Sequence, residues 1–194
     1  MSIIERINSS DDIKKLSESE LDALCAEIRE FLIKNVAQTG GHLASNLGTV
    51  ELTVALHRVY DTSVDRIVFD VGHQSYTHKI ITGRRDDFPT LRQHGGLSGF
   101  PKPYERADDA FVTGHASTSV SVATGMARAR ALTGDKYDVA AVIGDGAMTG
   151  GLAYEGLEDA AACGEPIVII LNDNNMSISE NVGGMSRLLA AMRY

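Results

Sequence analysis

Asp145 and Asn174 are the residues of this 194-residue chain best suited to chemistry. Asp145 sits in Gly144-Asp145-Gly146 and Asn174 in Asn172-Asp173-Asn174-Asn175, 29 positions on (174 − 145). Each cluster follows a short apolar run, Tyr137 to Ile143 and Pro166 to Leu171, and the stretch between them, Met148 to Cys163, reads as a helix. A strand–helix–strand crossover of that length brings both strand ends to one edge of a sheet. A carboxylate, a carboxamide and a nearby backbone carbonyl suit a hard divalent cation such as Mg²⁺, which keeps its remaining positions for phosphate oxygens or water. Gly146 is expected to open the next helix, whose N-terminal amides favour an anion. Metal and amides together would let an acidic chain hold a diphosphate without a basic patch.

Histidines form the second group. Three of the six, His42, His73 and His115, directly follow a glycine. At an average glycine usage of about 7%, fewer than one is expected. A glycine allows close backbone approach to a ligand and leaves the next side chain free to point into a cleft. Two plainer readings compete with a ligand site. Gly-Asp-Gly and Asn-Asp-Asn also serve as turn chemistry at strand ends. A dinucleotide fingerprint is the other, but Gly144-Asp145-Gly146-Ala147-Met148-Thr149 has Thr149 at the third glycine position and an acid where the pyrophosphate needs bare backbone.

The elements that must position these groups alternate in type. Ser19 to Val36 and Val50 to Tyr60 have apolar side chains at helical spacing. Arg66 to Val71 is a short apolar run that reads as a buried strand ahead of Gly72-His73. Thr82 to Asp109 has little periodicity and reads as a long excursion with one short helix; such loops are commonly functional. Ala110 to Thr113 is expected as a strand ahead of Gly114-His115, and Ser117 to Thr133 as a helix of small residues. Strands that are continuous apolar runs, alternating with helices, predict an α/β fold: a mostly parallel sheet with helices on both faces. Ligands of such sheets bind beyond the carboxyl ends of the strands, so four ends, three carrying Gly with a polar residue and the fourth Asn172 to Asn175, are expected to line one site.

Composition excludes several classes. A net charge of −8 opposes nucleic-acid binding, which needs clustered cations. No apolar run approaches the roughly 20 residues that span a bilayer. The N-terminus, Met1-Ser2-Ile3-Ile4-Glu5-Arg6, does not match a signal peptide, so a cytoplasmic protein with no membrane partner is expected. Cys25 and Cys163 match no metal or redox spacing and read as packing residues.

Gly-Asp-Gly followed by an Asn-rich segment after the next strand resembles the thiamine-diphosphate motif of transketolase-like enzymes. More of the chain agrees: Gly40-Gly41-His42-Leu43-Ala44-Ser45-Asn46-Leu47-Gly48, Val71-Gly72-His73-Gln74, Lys79-Ile80 with Thr82-Gly83-Arg84-Arg85, Gly95 to Pro101, Gly114-His115-Ala116-Ser117-Thr118-Ser119, and Asn172 to Ser179. These segments resemble the 1-deoxy-D-xylulose-5-phosphate synthase family. The resemblance implies a thiamine-diphosphate- and Mg²⁺-dependent transferase that condenses pyruvate with D-glyceraldehyde 3-phosphate and releases CO₂, a step that opens isoprenoid synthesis and feeds thiamine synthesis. It implies Asp145, Asn174 and the Met176 carbonyl as metal ligands, and Gly146, Ala147 and Asn174 as cofactor contacts. It also implies cofactor contacts from His73, Gly114, His115 and Ala116, with His42 as the active-site histidine, a type suited to proton transfer near neutral pH. Asn175 departs from the family, where Glu is common, with little effect expected.

The same resemblance implies a homodimer. One diphosphate- and Mg²⁺-binding domain over residues 1–194 is expected, without the pyrimidine-binding and C-terminal domains, as a fragment inactive alone. Two other readings are an N-terminal subunit of a split transketolase and a non-catalytic binding module that keeps the fold.

Overall fold

The structure is a computed structural model that describes residues 2–173 and 182–192, without the side chains of Met185 and Ser186. Asn174 and Met176 therefore lie outside the described residues. The chain forms two compact units, one from residues up to 65 with 72–112, the other from residues 66–71 with those from 113 onward.

The first unit is helical. Helices α1 (Ser10–Ile13), α2 (Glu18–Thr39), α3 (Leu43–Leu47) and α4 (Val50–Val59) precede the crossing into the other unit, and α5 (Tyr76–Lys79) follows it. Helix α2 starts where a capping box allows: the Ser17 hydroxyl accepts from the Glu20 amide, and the Glu20 carboxylate accepts from that of Ser17. Its stripe of Leu24, Cys25, Ile28, Leu32 and Val36 is buried, at the three- and four-residue spacing that gives a helix one apolar face. The stripe packs with Val50, Val54, Tyr76, Ile80, Phe88 and Leu91 in one core. The excursion after residue 82 is thus more ordered than its weak periodicity indicates. Arg85–Thr90 is a short 3-10 helix, and Phe88 and Leu91 are fully buried.

The second unit holds a parallel sheet in the order β1-β2-β3, from Arg66–Phe69, Val139–Gly144 and Val168–Asn172. Helix α6 (Ser119–Thr133) precedes β2, and α7 (Gly151–Cys163) connects it to β3. Val139 and Ala141 pack with Ala123 and Ala127 of α6, and Ile143 with Val120 and with Ala153 of α7. Ala140 and Val142, which point the other way, are equally buried, as a continuous apolar strand requires. Helix α8 is Gly184–Met192. Among the described residues, no helix is long and apolar enough to cross a membrane.

Three expectations are corrected. Ala110 to Thr113 forms no strand; Phe111 and Val112 are exposed, and a four-residue run without a ladder partner gains nothing from extension. Strand β3 is only half covered, with Val168 at 47% and Leu171 at 37% exposure, because it has a neighbour on one side alone among the described residues. Gly146 does not open α7. A separate 3-10 turn, Ala147–Thr149, intervenes, and Gly150 is extended at φ −84° and ψ 141° before α7 begins.

Candidate functional site

In the second unit, the segments after β1 and β2 bring several expected residues together. Asp70 follows β1, and its carboxylate accepts hydrogen bonds from the amides of Ser117 (2.8 Å) and Ser119 (2.9 Å), so it caps the start of α6. This anchors the turn Gly114-His115-Ala116, which is exposed. Ser117, at φ 69°, donates its hydroxyl to the Ala147 carbonyl at 2.6 Å. That bond ties the segment carrying Gly114, His115 and Ala116 to the turn carrying Gly146 and Ala147. Gly150 makes the approach possible, since a Cβ there would overlap the Ser117 hydroxyl.

Asp145, 6% exposed, donates its amide to the Asn172 carbonyl at 3.3 Å. Its carboxyl is held above the ordinary carboxylate range, first by burial and then by a hydrogen bond with, and the charge of, the Asp173 carboxyl. Two acids side by side disfavour each other's ionisation, and a cation between them would relieve that repulsion. This donor chemistry fits a hard divalent ion. Among the described residues, no group of three or more His, Cys, Asp or Glu side chains could hold a metal. Of the ligands expected from the sequence, Asn174 and the Met176 carbonyl lie outside the described residues. Asp173 was not singled out from the sequence. Its signal was present, as a second acid in the segment that follows the neighbouring strand.

In the first unit, His42 and His73 meet. Their rings stand edge to face with centroids 5.2 Å apart. Asn46, fully buried, donates to the carbonyls of both His42 (2.7 Å) and His73 (2.8 Å), and its own carbonyl accepts from the Tyr76 amide (2.8 Å). Gly41, at φ 144°, lets the chain pass Tyr76, whose hydroxyl would lie 2.8 Å from a Cβ. The His42 ring also faces Phe100, centroids 6.1 Å apart. Partial burial, and then the charge of Arg92, hold the His42 imidazole below its ordinary basicity. It is neutral at pH 7 and able to accept a proton. Arg92 and Asn46 escaped attention in the sequence because their role is spatial; a left-handed backbone at Arg92, φ 63°, is visible only in the fold.

Comparison with known proteins adds the family. A family model described as 1-deoxy-D-xylulose-5-phosphate synthase matches residues 4–194. The chain is 60% identical over 187 residues to the 1-deoxy-D-xylulose-5-phosphate synthase of Alkaliphilus oremlandii, covering 96% of this chain and 30% of that protein. The protein of the same name from Lachnoclostridium phytofermentans is 59% identical over 191 residues, covering 98% of this chain and 31% of its own length. The chain thus spans about a third of the length of these relatives. Among solved structures, transketolase from Leishmania mexicana matches with a TM-score of 0.66 over 89% of this chain and 31% of that one, at 21% identity, a likeness of fold. With a family model covering nearly the whole chain and relatives of one name at this identity, the chain belongs to the 1-deoxy-D-xylulose-5-phosphate synthase family.

Proposed function

We propose that this chain provides the diphosphate- and Mg²⁺-holding part of a transketolase-type transferase. The whole protein would condense pyruvate with D-glyceraldehyde 3-phosphate and release CO₂. The observation that carries this reading is the buried Asp145 carboxyl facing that of Asp173, an arrangement in want of a cation at the end of β2. In this role Asp145, Asn174 and the Met176 carbonyl hold Mg²⁺, and the amides of Gly146 and Ala147 hold the diphosphate. His73, Gly114, His115 and Ala116 make further cofactor contacts. Thiamine diphosphate, when bound, supplies the nucleophilic carbon and the electron sink for decarboxylation. His42, kept neutral by partial burial and Arg92, takes up or returns a proton on its ring nitrogen. A homodimer is carried over from the family resemblance, and a cytoplasmic location is proposed beside it.

Titration calorimetry tests the reading. Thiamine diphosphate with Mg²⁺ is expected to bind the chain, EDTA to abolish binding, and Asp145→Ala to lose it. Binding that is indifferent to Mg²⁺, or that survives in Asp145→Ala, overturns the assignment.

A further inference from the structure

The first unit contains a buried cluster of charges that the proposed chemistry does not use. Lys79 is fully buried, and its ammonium donates to Glu105 at 2.6 Å. Arg84, 4% exposed, donates through both terminal nitrogens to Asp109 at 2.8 and 2.7 Å and reaches Glu105 at 3.4 Å. His78 Nε2 donates to Asp109 at 2.8 Å, and His57 Nε2 lies 2.9 Å from His78 Nδ1. Burying that many charges is expensive, and well-packed apolar groups would serve stability as well. Such a cluster calls for an account in terms of what it holds in place.

Each acid has one oxygen aimed at the loop that packs on His42. Glu105 Oε1 accepts from the Ser98 amide at 2.7 Å. Asp109 Oδ2 accepts from the Lys102 amide at 2.6 Å. The two amides bracket Gly99, Phe100 and Pro101, and Phe100 carries the ring that faces His42. Behind the clamp, Lys79 and Arg84 orient both acids through charge-assisted hydrogen bonds. The cations extend from α5 and from the turn after it, close to Tyr76, whose hydroxyl accepts from the His42 amide at 3.4 Å. Of the two walls of the His42 environment, Phe100 is thus seated by the cluster, while Tyr76, on the same helix as Lys79, is held through its amide by Asn46.

We infer that Glu105 and Asp109 are positioning residues: by holding the amides of Ser98 and Lys102 they seat Phe100 against the ring of His42. This rests on the reading of His42 as the proton-transferring residue, but it concerns the ring's surroundings and is measurable without turnover. The groups that face His42 are His73, Phe100, the Tyr76 hydroxyl and the charge of Arg92. Of these, Phe100 depends on the clamp.

The test is the titration of His42 by NMR on the full chain with labelled histidine. Lys79→Met with Glu105→Leu removes the pair without leaving an unpaired buried charge, since Arg84 keeps Asp109, and removes the acceptor for Ser98. We expect a folded protein in which the His42 midpoint moves up toward 6.5, its ordinary value, and contacts between the Phe100 and His42 rings disappear. Lys79→Met with Glu105→Gln keeps an acceptor at Ser98 and should restore the wild-type titration. Phe100→Ala should give the same upward movement with the cluster intact, which covers the case of a poorly folded double variant. An unchanged His42 midpoint in Phe100→Ala, or in a folded Leu double variant, overturns the inference. Failure of the proton-transfer reading is separate: it would appear as full turnover by the whole enzyme carrying His42→Gln, with the titration results unaffected.

Discussion

The carbonyls of His42 and His73 share one donor, the carboxamide of Asn46, at 2.7 and 2.8 Å, so residues 31 positions apart (73 − 42) are fixed with their rings edge to face. One buried side chain therefore sets the geometry of a histidine pair. Asn46→Ala leaves both carbonyls and the Tyr76 amide without this partner, at a cost of about 2–4 kcal/mol for groups buried this deeply. Urea unfolding should show the loss, and the ring-current shifts of the two histidines should collapse with it.

Gly150 tests close packing beside the proposed diphosphate turn. Its backbone conformation is open to any residue, so the difficulty is space alone, at the Ser117 hydroxyl. Gly150→Ala should cost about 1–3 kcal/mol through overpacking. Adding Ser117→Gly removes the hydroxyl and relieves the left-handed backbone at φ 69°, so the double variant should be more stable than the sum of the two changes implies. A thermal double-mutant cycle measures this, and simple additivity would count against the contact.

Acid should weaken the first unit through His57 and His78. Both are fully buried, and burial pushes both imidazoles below the ordinary 6.5, His57 the further; the hydrogen bond to Asp109 only partly offsets this for His78. The unfolded chain then binds protons that the folded chain refuses. Stability is complete above about pH 6.5 and falls as pH drops below it toward the folded values. Asp109 acts in the same direction lower down. Burial alone would raise its carboxyl, but hydrogen bonds from Arg84 and His78 hold it well below 3.8, so its contribution is lost below that pH. Thermal unfolding at pH 7.5 and pH 5.5 should show a lower Tm at the acid value. His57→Phe, which keeps a ring without a proton to gain, should flatten the dependence.

Asp145 is expected to trade stability for metal binding. Its carboxyl faces that of Asp173 and is held above the ordinary range by burial and that neighbour. Asp145→Asn replaces two competing acids with an amide–acid pair. In the absence of metal it should gain about 1 kcal/mol, or ~2–4 °C in Tm for a chain of this size. Mg²⁺ should raise the Tm of the wild type and leave that of Asp145→Asn where it is. Equal response to Mg²⁺ by both would show that the ion binds elsewhere.

Local pattern was enough for several features. The three- and four-residue spacing of Leu24, Ile28, Leu32 and Val36 made α2 legible from Ser19 to Val36, while its full extent, Glu18–Thr39 behind the Ser17 cap, came from the structure. The apolar runs around Ile67, Val142 and Ile169 announced strands, and their alternation with helices announced a parallel sheet. Gly144-Asp145-Gly146 stood out because glycine and an acid at a strand end have a recognisable chemistry. These signals involve residues near in the chain, where spacing maps directly onto geometry.

Tertiary structure decided the rest. The run from Ala110 to Thr113 has the composition of a strand and forms none, because a strand exists only with a partner edge and no run of four residues encodes one. The turn Ala147–Thr149 separates Gly146 from α7 in a stretch that reads as one helix, with Ser117, 30 positions earlier (147 − 117), taking the Ala147 carbonyl. Asn46 between two histidines, Asp173 beside Asp145, and two acids clamping the Phe100 loop all depend on distances between residues remote in sequence. By itself the sequence determined the main helices and the three strands of the sheet, and which residue types are available. Folding determined which side chains meet, because hydrogen bonds and charges act over a few ångströms of space, whatever the separation along the chain.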